Sequence, residues 1–189
     1  MPFNTPFIYI DKLLVSSSSI RGNQQAFFRP DFAADNCYKD VPSDRFRDLK
    51  IFMSEFEDFP WFQWQIYRKP KRIEEVVIVI PRRVYNKLEK RMLDEQFEVR
   101  AGLDKIDNSF RGQITKNEVC DSYRPNNPTL VKGDYARYVF ACNNQQEFIK
   151  AAYVTVQILG FSALAISEIE AKWYEKKKGV PKRKFVERG

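Results

Sequence analysis

Residues 143–160 read NNQQEFIKAAYVTVQILG, and the fold class turns on this stretch. Asn143 or Asn144 is of the residue type that caps a helix, because its side-chain oxygen accepts a hydrogen bond from an amide that the first turn leaves unpaired. Gly160 stands where a helix ends, since glycine accepts the left-handed conformation of the terminating residue. Gln145–Leu159 therefore reads as a helix. The segment before it, Tyr135–Cys142 (YARYVFAC), alternates as a strand does. Phe161–Trp173 fits period two and helical spacing alike, so a strand is read at least as far as Ile166 and the choice over 161–175 stays open.

Working upstream, Glu74–Ile80 (EEVVIVI) reads as a buried strand, and Pro81 opens the next element where a missing amide proton does least harm to a helix. Val84, Leu88 and Met92 recur every four residues, which predicts an amphipathic helix from Pro81 to about Gln96 whose other sides carry Arg82, Arg83, Lys87, Lys90 and Arg91. Strands are expected at Phe97–Leu103 and Phe110–Thr115, then a loop through CDSYRPNNPTL (120–130). Nearer the N-terminus, Pro6–Val15 and Gln24–Arg29 read as strands, Ser16–Ser19 as a turn, and Asp31–Asp44 as a surface loop. Arg45–Phe56 reads as a helix from the spacing of Phe46, Leu49, Phe52, Met53 and Phe56.

The resulting order is β-α-β-β-α-β, an α+β fold with a mostly antiparallel sheet, two main helices and extra N-terminal strands. A duplicated ββββα unit is the structural rival, since strand-then-helix occurs twice. The expected organisation is a single domain over 1–175 and a flexible basic tail over 176–189.

Among the 189 residues, 43% are apolar and 15% aromatic, the composition of a folded globule with a sizeable core. The longest apolar runs are far shorter than the roughly 20 residues a membrane helix needs, so no membrane insertion is expected. The N-terminus MPFNTPFIYIDK lacks a basic region ahead of an apolar segment, which predicts a cytoplasmic or equivalent reducing location. Cys37, Cys120 and Cys142 are widely spaced and read as reduced, partly buried thiols. Histidine is absent, which removes the commonest zinc ligand and the commonest general base. No cofactor or metal is expected.

The net charge of +7 is unevenly placed: residues 61–91 hold nine Lys/Arg against three Asp/Glu, and 176–189 hold seven against one. Concentrated charge of one sign is the footprint of a polyanion binder. The first basic block opens with FPWFQWQIYRKPKR (59–72), where alternation sends Phe62, Trp64 and Ile66 to one face and Trp61, Gln63, Gln65 and Tyr67 to the other. Rings and amides beside cations suit base stacking and phosphate neutralisation. The function expected from sequence is non-enzymatic binding of single-stranded nucleic acid, RNA slightly favoured over DNA. The expected contacts are Trp61, Gln63, Gln65, Tyr67, Arg68, Lys69, Lys71, Arg72, Arg82, Arg83, Lys87, Tyr135 and Arg137, joined by Lys176, Lys177, Lys178, Lys182, Arg183 and Lys184 of the tail.

The alternative is a protein-interaction or structural accessory factor, of viral or phage type, with a protein partner or a second copy of the chain on its aromatic surface. A metal-dependent nuclease is the least favoured reading. It rests on Glu168, Glu170 and Lys172 as a carboxylate–carboxylate–lysine set, but no acidic residue precedes them at the right interval.

Two fragments, IYIDKL (8–13) and KGDYARYVF (132–140), resemble the signature strands of the RNA-recognition-motif family. Over these fifteen or so residues the resemblance implies that Tyr9, Tyr135 and Tyr138 lie on strands.

Overall fold

The computed structural model describes residues 15–19, 30, 33, 51–66, 69–81, 97–106, 113–122, 130–132, 135–144 and 147–174. Its strands run in chain order β1 (Val15–Ser17), β2 (Phe52–Met53), β3 (Glu57–Asp58), β4 (Trp61–Gln65), β5 (Lys71–Pro81), β6 (Phe97–Gly102), β7 (Glu118–Ser122) and β8 (Leu130–Lys132). They continue with β9 (Tyr135–Ala141), β10 (Asn143–Asn144), β11 (Glu147–Ala151), β12 (Tyr153–Ile158), β13 (Phe161–Ser162), β14 (Ala165–Ile166) and β15 (Glu168–Trp173). No α-helix occurs among the described residues.

The α+β expectation is therefore corrected to an all-β sandwich, and the two helix-bearing orders fall with it. The decisive stretch, read as the helix 145–159, is instead two strands with Ala152 between them. The physical reason lies in YVTVQI. Its β-branched residues lose side-chain freedom in a helix and fit the pleat of a sheet, and alternation sends Val154, Val156 and Ile158 into the core. Arg45–Phe56 is also not a helix where described, since Phe52–Met53 pairs with β14. The expected helix 81–96 lies outside the described residues after Pro81, which itself ends β5. The strand expected at 110–115 is absent over the described residues 113–115, and part of the loop expected at 120–130 is strand β7.

One sheet has the order β1-β4-β12-β6-β7. The other runs β10-β11-β5-β9-β8, with β15 on the opposite edge of β5. All strand pairings among the described residues are antiparallel. Phe62, Trp64, Val99 and Val156 of the first sheet share one apolar cluster with Val76, Ile78, Phe140 and Ile169 of the second. Phe97 joins the two layers, its ring centroid 5.8 Å from that of Tyr138 and 5.6 Å from that of Phe140. Edge-to-face contacts of this kind add to the stabilisation from area burial alone.

The five-stranded sheet is covered on its second face as well. Gln63 Nε2 donates to Thr155 Oγ1 at 3.0 Å and to the Asp104 carbonyl at 3.2 Å, while its oxygen accepts from the Ile106 amide at 2.8 Å. Gln157 accepts from the Thr115 amide and donates to the Gln113 carbonyl at 2.7 Å. Arg100 donates to the carbonyls of Thr115 and Asn117 and pairs with Glu98 at 2.7 Å. These amides and the guanidinium fasten the described parts of the β6–β7 connection over the sheet. Gly102 is required here: a Cβ on it would lie 2.3 Å from Asn117 Oδ1, which holds the Asp104 amide.

Cys120 on β7 and Cys142 just beyond β9 form a disulfide, so these two thiols are not the reduced cysteines expected. The bond ties an edge strand of one sheet to the other sheet.

Candidate ligand-binding end of the sandwich

Where β12 ends and β4 begins, the chain reads SEFEDFPW (54–61) against LGFSAL (159–164). The short ribbon β3–β13 closes this end, with Asp58 opposite Phe161 and Glu57 opposite Ser162. Alternation gives the ribbon two unlike faces. On the inner one, Glu57 Oε1 accepts from the hydroxyls of Ser18 and Ser19, and those two oxygens in turn accept from the amides of Trp61 and Glu55. Ser54 Oγ accepts from the Leu164 amide at 2.9 Å and fixes the base of the ribbon.

The outer face carries Phe56, Asp58 and Phe161. The Phe56 and Phe161 rings stack with centroids 6.4 Å apart and planes 23° from parallel. Phe161 is 56% exposed, Phe56 is half-buried behind it and Asp58 is exposed. Between the ribbon and β4, Phe59 has φ of 51°, the left-handed region that a bulky side chain enters only when its surroundings hold it there. The hold is visible: the Phe59 amide donates to the Gly160 carbonyl at 3.0 Å, and buried Gln157 donates to the Phe59 carbonyl at 3.2 Å. A rigid turn thus presents an exposed ring beside a carboxylate. The ring offers a flat apolar face and the carboxylate accepts hydrogen bonds.

Of the residues expected to bind nucleic acid, those among the described residues do not gather on one surface. Trp61 and Gln63 are 1% exposed, enclosed with the second face of the sheet, so neither is a stacking or hydrogen-bonding platform. Phe62, Trp64 and Ile66 face the core as alternation requires, and Gln65 is half-buried. Lys69, Lys71 and Arg72 gather at the opposite end of the sandwich, Lys71 Nζ lying 5.6 Å from the Trp173 ring centroid. Arg137 is half-buried on β9 between Val79 and Leu130. Tyr135 and Tyr138 both lie on β9, but Tyr138 is 3% exposed and belongs to the core. Tyr9, Tyr67, Arg68, Arg82, Arg83, Lys87 and the tail residues Lys176, Lys177, Lys178, Lys182, Arg183 and Lys184 lie outside the described residues.

The nuclease set shares one face of β15, since Ile169 and Ala171 take the core side, but it is not a metal site. Glu168 is fully buried and Lys172 is paired with Glu75, and the described residues hold no cluster of three metal-ligating side chains. Sequence alone does not single out Phe56, Asp58 and Phe161, because the spacing of Phe56 fits a helix and Phe161 fits a strand continuing beyond it. The available signal was the alternation of rings with acids in EFEDF, which is too acidic for a core-facing turn.

Two stacked antiparallel sheets closed at one end by a ring-bearing ribbon define a β-sandwich. The lectin domain of lectinolysin, solved with Lewis B antigen, superposes with a TM-score of 0.57 at 16% identity over 90% of this chain and 99% of that one. The fucolectin of Morone saxatilis (striped bass) serum gives 0.56 at 19% identity over 86% of this chain and 46% of that one. A Streptococcus pneumoniae fucose binding module gives 0.56 at 11% identity over 90% and 99% of the two chains. No family model and no curated protein sequence matches the chain. At these identities the likeness establishes the fold. With the burial of Trp61 and Gln63, it overturns the expected single-stranded nucleic-acid function and partner, because the similar structures are named for the carbohydrates they bind.

Proposed function

We propose that the chain is a non-catalytic carbohydrate-binding domain that takes a neutral saccharide on the β3–β13 ribbon. The observation that carries this reading is Phe161, a ring more than half exposed, braced by Phe56 and set opposite Asp58. A hexose has one face lined by C–H groups and a rim of hydroxyls. The first covers the ring and the second donates to the carboxylate, so one small site satisfies both chemistries. Lacking histidine, the chain must orient the sugar with other groups, and Asp58 is placed to do so. The similar structures support the reading, since their names describe lectin domains and binding modules.

An oxidising location is part of the proposal: disulfides are rare in reducing compartments, and the Cys120–Cys142 bond supports this reading over the cytosol-like one expected from the N-terminus.

The test is a glycan array followed by calorimetric titration of the best neutral ligand. Phe161→Ala should weaken binding about tenfold or more, equivalent to ~1.4 kcal/mol. Its melting temperature should stay close to that of the parent, because exposed positions contribute little to stability. Unchanged affinity in Phe161→Ala and Asp58→Asn would refute the site.

A further inference from the structure

At the other end of the sandwich, Lys150 on β11 lies directly opposite Arg72 on β5. Like charges facing one another across an antiparallel pair are destabilising. Both side chains are exposed on the face turned away from the core, since their neighbours Ile149 and Ile73 are buried on the other. Across the opposite edge of β5, the Tyr174 amide donates to the Arg72 carbonyl at 2.8 Å, which extends the row to Lys150, Arg72 and Tyr174. Tyr174 is 48% exposed and its ring centroid is 5.4 Å from that of Phe148, at an interplanar angle of 34°. Among the described residues, Arg72 pairs with Glu147 at 3.5 Å, the two side chains 50% (Arg72) and 80% (Glu147) exposed, and it also donates to the Phe148 carbonyl at 3.4 Å. Solvent screens so open a pair, and an exposed ion pair contributes little.

The geometry points to a second ligand site on this row, for a saccharide residue carrying one oxyanion, either a carboxylate or a sulfate ester. Two adjacent cations relieve their repulsion by sharing one anion, and the planar guanidinium matches such a group with paired hydrogen bonds. The Tyr174–Phe148 ring pair lies beside them, within a strand spacing or two, and supplies a flat apolar surface for a sugar ring. The charge of the site favours this ligand. Glu74 and Glu147 flank the cations and oppose a continuous polyanion and an anionic bilayer alike. A single acidic sugar displaces Glu147 from Arg72 and meets both cations.

The site is separate from the Phe161 ribbon and its test keeps the two apart. The full-length chain is titrated calorimetrically with a trigalacturonate, with a monosulfated galactose trisaccharide and with the carboxyl-reduced neutral trigalactose. Vesicles containing phosphatidylserine form a fourth arm. Binding by one or both acidic saccharides, at least tenfold tighter than by the neutral one, is expected. Arg72→Gln and Lys150→Gln should each weaken it about tenfold or more, as loss of a charge-assisted hydrogen bond does. Phe161→Ala should leave it within about twofold of the parent, whether or not the ribbon binds neutral sugar. Equal affinity for all three saccharides, no binding of the acidic ones, or vesicle binding alone would overturn the proposal. Should Arg72→Gln fail to fold, Lys150→Gln and the acidic-versus-neutral comparison still decide it.

Discussion

Trp61 and Trp64 occupy opposite faces of β4, and both are buried, at 1% and 0% exposure. Trp64 packs into the cluster between the sheets, whereas Trp61 lies on the face with Gln63 and Gln157 that the β6–β7 connection covers. Trp61→Ala should therefore destabilise the chain about as much as Trp64→Ala, by about 3–5 kcal/mol each in denaturant unfolding. A cost near zero for Trp61→Ala would mean that its face is open to solvent. Alternation correctly separated these residues into two sets, because period two is a local property of the backbone. It says nothing about what lies over each face, and the cover over Trp61 is fastened by Gln63 and Gln157, whose amides look in sequence like exposed groups.

Among the elements, β11 and β12 account for most of the distance between the expected and observed folds. Asn143, Asn144 and Gly160 bracket the stretch with residues that suit helix ends, and the same types also suit hairpin turns. Asn143 and Asn144 form β10, which pairs back on Phe148 and Glu147. The strand β12 was legible in YVTVQI. The break at Ala152 was not, since it is set by partners distant in sequence: its amide donates to the Gly102 carbonyl and its carbonyl accepts from the Ile66 amide. Two other elements overlap the strands read in EEVVIVI and YARYVFAC: β5 contains the first, starting at Lys71 and taking in Pro81, and β9 stops one residue short of the second.

The disulfide belongs to this scale because it joins β7 to the chain just beyond β9. It closes a loop with a sequence separation of 22 residues, for which the chain-entropy model gives about 3 kcal/mol. The Cys120→Ala, Cys142→Ala double variant should lose roughly that much stability. The parent measured with and without reductant should show the same difference. Coincident unfolding curves under both conditions would show that the bond contributes nothing.

For the whole molecule, the described residues separate two chemistries to the two ends of the sandwich. Acidic and aromatic groups of 55–59 and 161 gather at one, and the cations of 69–72 and 150 with Phe148, Trp173 and Tyr174 at the other. The sequence shows the second grouping as a basic block but not the first, because Phe161 and Asp58 are about a hundred residues apart and only the β3–β13 pairing brings them together. The central claim is that Phe161 is a sugar platform. The most direct measurement is an NMR experiment on the full chain saturated with the best neutral oligosaccharide, recording cross-relaxation between sugar C–H protons and aromatic protons. Strong contacts from one sugar face to the Phe161 ring, lost in Phe161→Ala, are the predicted result. A bound sugar whose contacts all lie on other residues, or no contact at saturating ligand, would contradict the claim.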